Sequence, residues 1–396
     1  MTTVAVAPTG TASFPSGGGH WWVYLQYVLG LRDLGCRVLW VERTSRDVDL
    51  DRVLDLLGAF GFARDEVLLY DAPDGSTDPL ERLNWITTDG VGAHRILGGV
   101  DLLLDLDYSN ASSVIEAVRR SALVDIDPGL LQVWWSTGSL SPSPHDDWVT
   151  TGETVGTPDA LFPSCGVAWH RITPPVHLPS WPVADLEPGP FTTVTSWWGG
   201  EWVVIDGEIL DNNKRAGYLP YLSLPERSGA ALELAALFGG AVEPGQPEVH
   251  PEALGVEQED VEELLRRGWR VRRAEAVTDG PFAYRDYVQR SKGEFSCVKP
   301  SCVRLQNAWI SDRSLCYLAS GRPVIVEHTG PSQVLDQGAG LLRFSSLDEA
   351  AAALEAVEAD YATHREAARG LVEEHFDATE VLGGLLDHLL GERAGR

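Results

Sequence analysis

Several short stretches of the chain combine residue types and spacing that could carry chemistry. The first is Pro15-Ser16-Gly17-Gly18-Gly19-His20, a glycine run between a strand-like and a helix-like segment. Gly18 and Gly19 leave the backbone free to approach a phosphate or sugar, with helix N–H groups pointing into the gap. The spacing is not G-x-G-x-x-G, which argues against a dinucleotide site. His20 opens the helix, and an imidazole suits a general base that takes a proton from an acceptor hydroxyl. The plainer alternative is a helix-start histidine exposed to water. A carboxylate commonly orients such a base. Asp105 and Asp107 lie near the carboxyl end of one predicted strand and Asp125 and Asp127 near that of the next, although Asp127, before Pro128-Gly129, also reads as a helix cap.

A second group lies further on. The segment His145-Asp146-Asp147-Trp148-Val149-Thr150-Thr151-Gly152-Glu153 contains a strand that would deliver Glu153 to a cleft edge and leave His145 near the opposite end. Tryptophan is abundant, with 14 residues, and aromatic faces stack on sugars, although core packing is the more common use. Trp197 and Trp198, followed by Gly199-Gly200-Glu201, are the best candidates for an acceptor contact because they follow a predicted strand. Lys214 and Arg215 form a basic pair that could neutralise a diphosphate, with Lys299 in a further positive cluster. Ser311-Asp312-Arg313 opens a helix that Ser311 can cap, leaving N–H groups and Arg313 for an anion, or else leaving Arg313 in an ordinary salt bridge.

The elements that must position these residues alternate. In the first half Thr3 to Ala7, Arg37 to Val41, Leu102 to Leu106, Leu123 to Ile126 and Trp148 to Thr151 read as strands, with helices at His20 to Leu34 and Ala111 to Arg120. Pro174 to Pro190 is proline-rich and reads as a semi-rigid connector. Beyond it, Thr192 to Ser196, Trp269 to Val271 and Val324 to Glu327 read as strands. Helices are predicted at Ser228 to Phe238, Val261 to Arg267, Tyr284 to Ser291, Ser311 to Ser320, Glu349 to Leu371 and Glu380 to Leu390. Continuous apolar strands between helices predict parallel sheets covered on both faces, an α/β fold of two Rossmann-like domains facing a cleft.

Composition narrows the function. The 396 residues carry 31 Lys plus Arg against 58 Asp plus Glu, a net charge of −27. No basic surplus exists to neutralise nucleic-acid phosphates or an anionic membrane. The five cysteines lack C-x-x-C pairing, which fits a reducing compartment and neither a disulfide framework nor a zinc site. No long apolar run or signal-peptide pattern is present, so a cytoplasmic location is expected.

With these residues set out, the chain resembles a glycosyltransferase of the GT-B type. In the first half, the Gly-Gly loop followed by L-G-C-R-V-L-W-V-E is similar to the acceptor domain's L-x-x-x-G-H-x-V-x-x-V-x. In the second, Ser311-Asp312-Arg313-Ser314-Leu315-Cys316-Tyr317-Leu318-Ala319-Ser320-Gly321-Arg322-Pro323-Val324 is similar to the S-D-R-x-x-E-x-L-A-x-G-x-P-V pattern of CgeB-like, family-1 glycosyltransferases. A bacterial subgroup of these also carries H-D-x-x-x-T-x-G-E and P-x-C-G-x-x-W-H. Retaining members usually hold Glu where this chain has Cys316 and Ala308, so the resemblance leans towards inversion of the anomeric carbon.

The resemblance implies an acceptor domain over 1–182, a nucleotide-sugar domain over 183–375 and a C-terminal helix over 376–396 returning to the first. It implies transfer of a sugar from a UDP or TDP sugar to a small-molecule acceptor in secondary metabolism, without metal or other cofactor. His20 would be the base with Asp107 or Asp105 as partner. Gly18, Gly19, Lys214, Arg215, Lys299, Ser311, Asp312 and Arg313 would hold the donor, and Glu153, Trp197 and Trp198 the acceptor. The rival expectations are an epimerase or hydrolase of the same fold and a non-catalytic nucleotide-sugar binder.

Overall fold

The computed structural model describes residues 1–183, 185, 189–198, 202–238, 251–335 and 338–391, with backbone alone for 251–256. The chain divides into two units. Unit 1 comprises Met1–Pro15, His20–His177 and Asp377–Arg396, and unit 2 comprises Ser16–Gly19 and Leu178–Phe376.

Unit 1 is built on strands β1 (Thr3–Ala7), β2 (Arg37–Arg43), β3 (Val67–Asp71), β4 (Asn84–Trp85), β5 (Leu102–Asp105), β6 (Ser121–Asp125), β7 (Asp147–Thr150) and β8 (Trp169–Arg171). They form one sheet in the order β4-β3-β2-β1-β5-β6-β7-β8. All pairs are parallel except β3 with β4. The central strands are buried on both faces: Ala5, Leu39, Leu68 and Leu103 pack on one face with Ala93, Leu97 and Val114 from the flanking helices, and Val4, Val6, Val38 and Trp40 are buried on the other. Within unit 1, Gly30 lets the helix Gly18–Asp33 approach the last helix, Ala378–Leu390, closely. A Cβ at Gly30 would fall 2.7 Å from Ala378 Cβ.

Unit 2 is built on β9 (Phe191–Ser196), β10 (Trp202–Ile205), β11 (Glu208–Asp211), β12 (Leu232–Leu237), β13 (Arg270–Arg273), β14 (Gly293–Ser296), β15 (Val324–Glu327) and β16 (Leu341–Phe344). The main sheet runs β13-β12-β9-β14-β15-β16, parallel throughout. Strands β10 and β11 form a separate antiparallel hairpin. The core gathers Phe191, Trp197, Leu234, Trp269, Phe295, Phe344 and Leu354.

The alternation expected from sequence is present, and two of the elements read there differ. Ser228 to Phe238, expected as a helix, contains strand β12 instead. Its Leu-Glu-Leu-Ala-Ala-Leu residues are good helix formers, but a buried place between β9 and β13 overrides that weak preference. The helix expected over Glu349 to Leu371 is two helices, Leu347–Ala359 and Tyr361–His375, broken at Asp360 (φ −142°), whose side chain caps the second. The proline-rich stretch, expected as a semi-rigid connector, is anchored over its first part: Val176, His177 and Trp181 are buried, and Val176 bridges to Asp377. Among the described residues no helix is long and apolar enough to cross a membrane.

Candidate functional site

In an open parallel sheet, the ligand crevice lies outside the carboxyl ends of the strands where the strand order reverses. In unit 2 that point is β9 beside β14, since the chain fills the sheet from β9 outwards to β12 on one side and to β14 on the other. Lys214 starts the helix Lys214–Tyr218, and its buried Nζ donates to the Cys297 carbonyl, just past β14, at 2.9 Å. Burial, helped by the Arg313 charge, lowers the Lys214 ammonium to about 8. Asn212 Oδ1 accepts the Ser301 backbone N–H at 3.0 Å, in the first turn of the helix Pro300–Leu305. Lys299 stands at that helix's N-cap.

Two polar groups in this cluster are orphaned. Asn212 Nδ2 and Ser301 Oγ are shielded from solvent and have no hydrogen-bond partner among the described residues. Buried polar atoms are nearly always satisfied, so orphaned ones at a crevice fit a site built for a ligand or an ordered water. An amide N–H, a hydroxyl and an ammonium together form a donor set suited to phosphate oxygens.

Other residues expected to hold the donor are engaged with the protein itself. Arg313 donates Nε–H to Glu294 at 2.6 Å, Nη1–H to the Val194 carbonyl at 2.9 Å and Nη2–H to Ser296 Oγ at 2.5 Å. It is therefore an internal brace and not a free anion ligand. Ser311 caps the helix Asp312–Ala319 by accepting the Arg313 backbone N–H, and Ser311 and Asp312 are half-buried there. Arg215 grips Asp260 with two bonds, at 2.5 and 2.9 Å, and its guanidinium lies 5.5 Å from the Trp198 ring. Trp197, expected as an acceptor contact, is fully buried in the unit 2 core, with Nε1–H on Asp260 at 2.9 Å. Trp198 is half-buried beside Arg215, and Gly199-Gly200-Glu201 lie outside the described residues. Gly18 and Gly19 pack on protein. A Cβ at Gly18 would sit 2.2 Å from the Gly280 carbonyl oxygen, one at Gly19 2.9 Å from the Tyr284 ring, and Gly18 N–H is already donated to Ser16 and Thr278.

In unit 1 the order reverses between β1 and β5. His20 Nε2 lies 2.7 Å from the Thr9 carbonyl, which follows β1. A carbonyl only accepts, so Nε2 carries the proton and Nδ1 keeps its lone pair. Burial lowers the His20 pKa, which further favours the neutral, basic form. The orienting group is thus a backbone carbonyl, and neither Asp105 nor Asp107 plays that part. Asp105 accepts from Asn110 at 2.7 Å and meets His145 Nε2 at 3.0 Å, with both side chains almost wholly buried. His145, discounted from sequence, is therefore the histidine that pairs with a carboxylate. Asp107 lies 3.3 Å from Arg43 Nε, yet burial outweighs that cation and raises its carboxyl to about 6.

Sequence reasoning passed over Glu42 at the end of β2. It accepts from Thr11, Ala12 and Trp40, and burial raises it to about 7. Asp125, bonded by Gln132 and Thr150, is raised to about 7 by the same cause. The one available signal was position, since Glu42 and Arg43 close a strand. Glu153 is half-buried just past β7, at the carboxyl edge. Among the described residues no group of three or more His, Cys, Asp or Glu side chains is arranged to hold a metal ion.

No family model matches the sequence, and no curated protein matches it. Solved structures do. A glycosyltransferase from Rickettsia africae superposes with a TM-score of 0.56 at 12% identity, over 98% of this chain and 97% of that one. Anabaena Alr3699/HepE, in complex with UDP and glucose, gives 0.55 at 11% identity, over 98% and 99%. A sucrose-phosphate synthase from Thermosynechococcus elongatus gives 0.55 at 12% identity, over 99% and 100%. Together with the two parallel sheets, these likenesses show a mixed α/β fold of the GT-B glycosyltransferase kind.

Proposed function

We propose that the chain is a glycosyltransferase that moves a sugar from a nucleotide diphosphate sugar, UDP-linked before TDP-linked, to a small-molecule hydroxyl. The observation that carries this reading is the donor set at the β9/β14 crevice, where Asn212 Nδ2 and Ser301 Oγ are orphaned beside the Lys214 ammonium. A fold shared with glycosyltransferases, one of them in complex with UDP and glucose, supports it.

In this reading Lys214, Asn212, Ser301 and Lys299 hold the diphosphate and stabilise the charge that develops as it leaves. His20, neutral and with Nδ1 available, removes the acceptor proton, and Glu153 contacts the acceptor. Transfer is inverting and needs no metal or other cofactor. A second reading, a nucleotide-sugar binder without turnover, draws on Cys316 and Ala308, which stand where the resembling family carries glutamates; Cys316 is buried.

The test is a thermal-shift series with UDP, TDP and GDP, followed by product analysis with UDP-glucose in the presence and absence of phenolic and sugar acceptors. A ligand bound only by the folded state raises the melting temperature. Stabilisation by UDP together with acceptor-dependent sugar transfer is the expected result. Stabilisation without transfer or hydrolysis selects the binder, and no stabilisation by any nucleotide removes both readings.

A further inference from the structure

We propose that unit 2 carries a second ligand site, a pocket for a small phosphate-bearing anion between the edge strand β13 and the helix Pro281–Arg290. Arg270, the first residue of β13, and Arg290, which precedes β14, stand at the end of the strands away from the crevice described above. A cavity of about 500 Å³ there is lined by Arg270, Arg272, Glu233, Tyr287, Asp286 and Arg290, among others.

Strand register explains why charged groups collect at this spot. Arg270 pairs with Glu233, Glu233 with Thr192, and Thr192 with Glu294, so the four side chains form a row on one face of the sheet. The other three side chains of the row are each engaged with a protein partner. Glu233 accepts from the Tyr287 hydroxyl at 2.8 Å and ion-pairs with Arg272 Nε at 3.1 Å. Thr192 Oγ1 lies 2.6 Å from both the Ser291 and the Tyr317 hydroxyls, and Glu294 holds Arg313. Among the described residues, the exposed Arg270 side chain has no hydrogen bond, ion pair or ring contact. Arg290, at the end of the helix Pro281–Arg290, reaches only exposed Asp286 at 4.0 Å, an interaction of little strength.

Two under-used guanidiniums therefore line one cavity, one from a strand and one from a helix, in a chain of net charge −27. Charges on the edge strand β13 would in any case discourage strand pairing. That role asks nothing of Arg290, which is on a helix, nor of a cavity. The tetrahedral oxygens of a phosphate can be met by two forks at once, whereas a planar carboxylate is matched by one.

The full chain is titrated with inorganic phosphate by calorimetry at constant ionic strength set with potassium chloride. A saturable component is expected that is weakened about tenfold or more by either Arg270→Ala or Arg290→Ala, separate from any phosphate bound at the Lys214 crevice. Lys214→Met, altered at the other end of the sheet, and Arg119→Ala, in unit 1, should leave it in place. The proposal is overturned by the absence of saturation, by equal affinity in the Arg270 and Arg290 variants, by loss of binding in Lys214→Met, or by acetate binding as tightly as phosphate. None of these outcomes depends on whether the protein transfers sugar.

Discussion

Arg313 and Glu294 form a buried ion pair, Nε to Oε1 at 2.6 Å, with the glutamate wholly shielded from solvent. The ladder between β9 and β14 consists of Gly293↔Phe191 and Glu294↔Thr192. Past those two pairs the same guanidinium joins the strands by holding the Val194 carbonyl and the Ser296 hydroxyl. It therefore closes the floor of the crevice from inside unit 2. Removing one partner of a buried pair leaves an uncompensated charge, so Arg313→Ala is expected to cost about 3–5 kcal/mol in urea unfolding. A loss under about 1 kcal/mol would show that the brace is dispensable.

If Lys214 holds the diphosphate as proposed, nucleotide binding is expected to depend on pH. Its ammonium, lowered to about 8, is charged below that pH and loses its charge above it. UDP affinity measured calorimetrically should fall as pH rises from 7 to 9. Lys214→Met should bind about tenfold or more weakly at pH 7 and lose this pH dependence. A variant that binds as tightly as the native chain would separate Lys214 from the diphosphate.

His20→Gln should lower transfer by about 100-fold or more with the melting temperature little changed. Because burial lowers the His20 pKa, the acid limb of kcat/KM should have its midpoint below 6.5. A midpoint above 6.5, or full turnover in the variant, would remove His20 as the base.

Glu42 gives a stability signature opposite to that of an ordinary paired carboxylate. Its folded-state value is about 7 against 4.5 for the free group, so between those pH values the folded state binds more protons than the unfolded state. Its contribution is fully present below pH 4.5 and is lost as pH rises to 7. The stability advantage of the native chain over Glu42→Gln should therefore shrink across that window in urea unfolding, and a widening advantage would contradict the assignment.

Trp197 and its neighbour should respond differently to truncation. Trp197 is fully buried and bonded to Asp260, so Trp197→Ala should cost about 3–5 kcal/mol. Trp198 is half-buried against Arg215, so Trp198→Ala should cost clearly less in the same measurement. Equal costs would mean that the second ring is also core.

The parts of this fold that were legible in the sequence are those governed by local patterns. Thr3–Ala7 and Val324–Glu327 have the bounds that their apolar runs predict. Leu232–Leu237 was misread because its helix-forming residues are overruled by neighbours 40 or so positions away in the chain. The site divides in the same way. Lys214 could be suspected from its place in a local basic pair, but the fate of Arg313 depends on Glu294, 19 residues earlier, on a strand that no pattern announced. The group orienting His20 is a main-chain carbonyl, which residue identity does not encode.

Unit 1 is assembled from separate stretches of chain, with all of Leu178–Phe376 intervening before its last helix. That helix is seated by Ala378 donating to the Val176 carbonyl and by Ala378 and Leu382 filling the hollow over Gly30. During synthesis the final seam of unit 1 must therefore wait until Ala378–Leu390 leaves the ribosome, long after β1 to β8 have emerged. A chain that stopped at Phe376 would leave Gly30 without the two side chains that cover it, Ala378 and Leu382.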